Sequence, residues 1–145
     1  MGNGIDLKVI WFDEVEDLLE ILFCCSNGCF SGQAENYVTH VALAKLANTL
    51  SGFPSCPNDS RHFELGTFSP EHADSGVRMH FHGLDSVGHA AVDVKLRGDA
   101  CEGLGEIESV ALRIPIEAAA VDTFVRQLRT ISKTIGAGAS LHKAK

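Results

Sequence analysis

The sequence predicts an α+β fold: one antiparallel β-sheet of about six to seven strands with two helices packed on one face, in the order βββ-α-ββββ-α. Three observations carry this expectation. Val77–Leu96 reads as a hairpin whose arms alternate apolar and polar residues with a period of two. Two other stretches carry apolar residues at helical spacing. The remaining apolar runs are joined by short, turn-rich links, and strands joined that way are antiparallel.

The hairpin is the best-specified stretch. Val77, Met79 and Phe81 alternate with Arg78, His80 and His82; beyond the turn, Val92, Val94 and Leu96 alternate with Asp93, Lys95 and Arg97. Two registers keep apolar opposite apolar, because they differ by an even number of residues. A turn at Asp85–Ser86 sets His82 opposite His89 and Arg78 opposite Asp93. A longer loop, Asp85–Gly88, sets His80 opposite Asp93 and pairs Val77 with Leu96, Met79 with Val94 and Phe81 with Val92. The larger apolar pairs of the second register tip the reading towards it. In both, His80 and His82 share the polar face, and His89 is expected to join them.

From the N-terminus, Asp6–Asp13 reads as a strand with Val9 and Trp11 on one face, and Asp13, Glu14, Glu16 and Asp17 form an acidic turn. Leu18–Cys25 is a second strand, apolar enough for partial burial on both sides. Asn27-Gly28 predicts a type I′ hairpin turn into a third strand over Cys29–Ala34. Thr39 then caps a helix with Leu43, Leu46, Ala47 and Leu50 on one face, and Gly52 ends it. Ser51–Ser60 is a loop. His62–Phe68 resumes the alternation, and the loop Ser69–Gly76 leads into the hairpin. After a turn region at Gly98–Gly105, Ile107–Ile116 is a strand in which Pro115 suits an edge. The last helix begins near Glu117 or Ala118, with Val121, Phe124, Val125, Leu128 and Ile131 as its stripe. One domain over residues 1–135 is expected, with Gly136–Lys145 a flexible tail.

With 145 residues, 45% of them hydrophobic and 21% charged, the chain has the composition of a globular domain. A net charge of −7 without a basic stripe argues against nucleic-acid binding and permits a basic partner. No apolar run has transmembrane length, so no membrane partner is expected. Five cysteines without a regular spacing suggest a reduced, cytoplasmic protein.

A likeness rests on the order of several segments: FSGQAENYV, VALAKLANTLSGFP, HFELGTF, MHFHGLDSVGHAAVDVKL, and VALRIPI leading into AAAVDTFVRQLRTI. In these the chain resembles small uncharacterised bacterial α+β domains grouped near the immunity proteins of polymorphic toxin systems. Within that group it is similar to the family that protects against a wall-associated, contact-dependent toxin. The likeness covers most of residues 5–133. It implies a non-enzymatic protein that binds and blocks a cognate toxin, with no catalytic residues to carry over.

Two candidate sites follow from the residues. His80 and His82 at i, i+2, with His89 or Asp93 from the next strand, could supply three ligands to zinc, which binds imidazole nitrogen at about 2.0–2.1 Å. A solvated polar sheet face accounts for the same residues, and no cofactor is otherwise implied. Asp13, Glu14, Glu16 and Asp17, with Glu20, could meet a basic protein, where exposed charge chiefly sets the on-rate and the choice of partner. Cys24, Cys25 and Cys29 read as small core residues or idle thiols rather than metal ligands. Cys101 with His89 would be a nucleophilic pair lacking any local signature, and Glu106–Glu108 a solvated carboxylate pair. No phosphate-binding loop or nucleophile elbow occurs. An uncovered sheet edge would also allow a homodimer.

Overall fold

A computed structural model of the chain describes residues 2–66, 75–98 and 108–145. The expected strand end at Phe68, most of the loop Ser69–Gly76, Cys101, Glu106 and Ile107 lie outside the described residues. The elements are β1 (Gly4–Phe12), β2 (Leu19–Ser26), β3 (Ser31–Val38), α1 (His40–Leu50), β4 (Ser60–Gly66), β5 (Gly76–Gly83), β6 (His89–Arg97), β7 (Ser109–Glu117), α2 (Ala118–Thr130) and β8 (Gly138–His142).

The α+β class is observed, but the strands form two antiparallel sheets rather than one. The first has the order β3-β2-β1-β8 and the second β4-β5-β6-β7. The break falls where α1 and its loop separate β3 from β4. Each sheet turns one face inward. Ile5, Leu7, Val9, Leu19, Ile21 and Phe23 from the first meet Val77, Met79, Phe81, Val92, Val94 and Ile114 from the second in a single core. The stripes Leu43, Leu46, Leu50 of α1 and Val121, Phe124, Leu128 of α2 join that same core. Period-two strands and period-3.6 helices thus each surrender one face to it.

The hairpin adopts the longer-loop register: Val77 faces Leu96, Met79 faces Val94, His80 faces Asp93 and Phe81 faces Val92. Thr39 caps α1 as expected, its Oγ1 accepting from Ala42 N at 3.0 Å.

Three local expectations are corrected. Val9 is buried but Trp11 is not, because a β-bulge at Ile10 breaks the alternation: Val9 pairs with Ile21 and Trp11 with Glu20. An extra residue on one strand re-aims every side chain after it. At Asn27-Gly28 only Gly28 has a positive φ, so the turn is not type I′, which needs two. The Asn27 side chain instead accepts from Cys29 N and Phe30 N, at 2.9 and 2.8 Å, and the loop runs to Phe30.

Third, the C-terminal segment expected to fray contains β8, which pairs with β1 from Gly4↔His142 to Lys8↔Gly138. Two buried side chains, Ala139 and Leu141, are its only apolar signal, too short a period-two pattern to stand out. Gly4, at φ +130, admits β8 closely; a Cβ there would lie 2.0 Å from Leu141 O. The outer edge of β8 is met by α2, where Gln127 Oε1 accepts from Ser140 N at 2.7 Å.

If β8 is an integral strand, Leu141→Ala should lower unfolding free energy in urea by roughly 2–5 kcal/mol, the usual cost of a core leucine. A change under about 0.5 kcal/mol, as for ordinary surface positions, would mean the segment is a tail after all.

Candidate functional site

Among the described residues, both sheets present an outer face with no helix against it, and the chemistry divides between them. On the β4–β7 sheet the pairing places side chains in transverse rows. His62, His80, Asp93 and Arg113 form one row, and Glu64, Arg78, Lys95 and Ala111 the next. The rings of His62 and His80 are stacked, 4.1 Å between centroids and 7° between planes. His82 brings a third ring to 5.0 Å from His80.

Hydrogen bonds hold this arrangement. Ser60 Oγ and His80 Nε2 are 2.8 Å apart. Arg113 donates to both oxygens of Asp93, at 2.7 and 3.1 Å, which holds the Asp93 carboxyl below its ordinary range. Asp93 Oδ2 also lies 3.2 Å from His82 Nε2, yet that buried nitrogen has no partner with hydrogen-bond geometry. The start of β4 is anchored by Arg61, which donates to Thr49 O and Ser51 O at the end of α1. The same guanidinium binds Asp59 at 2.8 Å and brings its carboxyl down to about 2. Beside the histidine row, Ala111 leaves a shallow groove of about 370 Å³ between Arg78, Lys95 and Arg113.

Of the three histidines expected to act together, the structure gathers His80 and His82. His89 is committed elsewhere: its Nδ1 lies 2.5 Å from Asp85 Oδ2, and that partner raises its pKa while lowering that of Asp85. The third ring of the cluster is His62, whose position opposite His80 depends on the β4–β5 register. Among the described residues no group of three or more His, Cys, Asp or Glu has its donor atoms gathered on one point. A hydroxyl on an imidazole, as at Ser60 and His80, is half of a nucleophilic relay. The carboxylate that would orient the base is tied to Arg113 and leans on His82, so the relay is not assembled.

On the other sheet, the bulge at Ile10 turns Trp11 outward. Trp11, Glu20 and Tyr37 form one transverse row. The two aromatic side chains meet edge to face, 6.0 Å apart and 80° between planes, across the strand that carries Glu20. They stay 41% and 51% exposed. Lys8, Leu22 and Glu35 form the next row, opening towards a groove of about 610 Å³ between Leu22, Cys24 and Gly138.

The acidic turn borders this patch but divides in role. Asp13 Oδ1 accepts from Val15 N and Glu16 N at 2.8 and 2.9 Å, folding the turn on itself. Asp17 accepts from His40 N at 2.7 Å, at the N-terminus of α1. These backbone donors lower the pKa of both carboxyls. Lys133 ties the turn down through Glu16 O at 2.5 Å. Glu14 and Glu16 keep exposed side chains. Asp13 and Asp17 thus shape the rim, and the two glutamates carry its outward charge.

Cys24, Cys25, Cys29 and Cys56 are all free thiols. Cys25 is buried in the core, and burial pushes its thiol up to about 11. No protein-family model matches the chain, and neither a curated protein nor a solved structure is detectably similar to it.

The imidazoles should therefore titrate apart. Burial, then the neighbouring His62 and His82, lowers the pKa of His80, whereas Asp85 raises that of His89. The His89–Asp85 pair contributes stability below the unfolded histidine value, and that contribution is lost as pH rises through the folded one. His80 has the opposite sign: protonation on acidification favours the unfolded chain. Proton NMR titration of the ring resonances should place His80 below and His89 above the ordinary value near 6.5. The reverse order would show that the Asp85 contact and the ring stack do not persist in solution.

Proposed function

We propose that this chain is a non-enzymatic interaction module that captures a basic segment of a partner protein on the outer face of the β3-β2-β1-β8 sheet. The Trp11–Tyr37 pair carries the reading. Tryptophan and tyrosine dominate binding energy at protein interfaces, where they join a large apolar body to a polar tip. Here a bulge aims Trp11 away from a core it would otherwise enter. The aromatic rings stand over Glu20, with Glu35 in the adjoining row and Glu14 and Glu16 on the border.

A lysine or arginine side chain suits such a place. Its head gains from the ring face and from the carboxylates, and its stem packs on the rings. The chain's charge of −7 would steer a cationic partner towards it. Lys8, beside Leu22, opposes a uniformly cationic ligand and favours a segment that alternates basic and apolar residues. An immunity-type role, binding and neutralising a cognate toxin, is the specific form of this reading that the family resemblance suggests.

Trp11 is the sole tryptophan, so its fluorescence reports on this surface directly. A peptide alternating arginine and leucine should shift and quench the emission saturably, with an affinity that falls as salt rises. Glu20→Lys should weaken the response by roughly tenfold, as expected for a centrally placed charge. A glutamate-rich peptide should do nothing. An equal response to both peptides, or none to either, would refute the proposal. So would a shift that depends on protein concentration alone, which would mean that a second copy covers the face.

A further inference from the structure

The groove on the β4–β7 sheet plays no part in that reading. Arg78 of β5 stands directly opposite Lys95 of β6, and like charges so paired repel. Arg113, on the next strand and in the neighbouring row, adds a third cation. All three side chains are exposed, and their charge is only partly answered. Glu64 lies 3.6 Å from Arg78, beyond hydrogen-bond distance. Arg113 gives Asp93 its Nε and Nη2 and keeps Nη1. Lys95 has neither a hydrogen bond nor an ion pair among the described residues. Ala111 floors the groove of about 370 Å³ between them. The turn between β1 and β2 offers the opposite arrangement. Glu14-Val15-Glu16 stands at its tip, and Val15, at 91%, is the most exposed large apolar side chain described. The carboxylates of Glu14 and Glu16 have no partner among the described residues, because Asp13 and Asp17 take the backbone amides. Asp13 and Lys133 hold the backbone of the turn in place, so binding its tip orders little that is not already ordered.

We propose that the acidic turn of one copy docks in the cationic groove of another. Val15 covers Ala111, and Glu14 and Glu16 lie among Arg78, Lys95 and Arg113. One contact then removes a bare valine from water and relieves the repulsion between Arg78 and Lys95. Within a chain the two elements do not meet, since Val15 and Lys95 both remain exposed, so the contact joins separate chains. It is heterologous: each copy has a turn for one neighbour and a groove for another. Asp93, neutralised by Arg113, opposes the incoming carboxylates little. One valine and a few exposed charges make a small interface, so half-assembly falls at roughly 0.1–1 mM chain. At the micromolar concentrations of a fluorescence titration the chain is a monomer.

The test is sedimentation equilibrium on the full chain, from micromolar to millimolar, with a reductant present to keep the exposed Cys29 and Cys56 as thiols. At low salt the weight-average mass should rise with concentration, and about 0.5 M salt should return it to that of one chain. Lys95→Glu, which reverses a groove charge, and the double variant Glu14→Lys with Glu16→Lys, which reverses the turn, should each weaken association by roughly tenfold or more. An equimolar mixture of those two variants should associate again, because the intact groove of one accepts the intact turn of the other. Val15→Ser should weaken association while leaving the charges in place. Glu20→Lys, the variant that weakens capture of a basic peptide, should leave the mass unchanged, so the two readings stand or fall separately. All five altered positions are at the surface or on its border, and circular dichroism checks that each variant is folded. A mass of one chain at millimolar concentration and low salt would overturn the contact. So would association that survives reversal of both turn and groove, which places the interface elsewhere, or a mixture that associates no better than either variant alone.

Discussion

The register of the β5–β6 hairpin is the constraint on which the rest depends. With Phe81 against Val92 and Met79 against Val94, the inner face of the second sheet is apolar without a gap, and the outer face is set at the same stroke. A slip of one residue would drive His80, His82 and Asp93 into the core and expose the residues that now close it. The burial of several large side chains therefore decides which polar groups can meet: His80 with His62 on one side and Asp93 on the other.

Around that hairpin the molecule solves a covering problem. Among the described residues, eight strands in two sheets leave two inner faces, and both helices are spent on the shared core. No described helix covers the outer faces, and sheet edges are met by local devices. Gln127 takes a free amide of β8, while Asn27 Nδ2 and Ala144 N donate to carbonyls of β7 at Arg113 and Pro115. Pro115 has no amide hydrogen to offer on that edge, which makes β7 a poor template for a further strand.

The two open faces differ in kind. One carries an aromatic pair set among carboxylates. The other carries imidazoles and guanidiniums in register. They belong to separate sheets and can be perturbed separately.

Much of the fold was legible in the residues. The alternation in β5, β6 and β7, the stripes of both helices, the Thr39 cap and the edge position of Pro115 all follow from local periodicity and backbone chemistry. Hence His80 and His82 could be placed together on one face. Other features required distant segments to meet. The bulge at Ile10 leaves no mark in the alternation of β1, and it alone turns Trp11 outward. His62 joins the cluster through a pairing between strands whose connection has no periodic signal. β8 is too short to be recognised without β1 beside it. Asp13 and Asp17 look like surface charge until the backbone amides they accept from are in place. Periodicity along the chain determined which face each side chain takes; which faces and edges then come into contact depends on packing among segments far apart in sequence, and only the tertiary structure decided it.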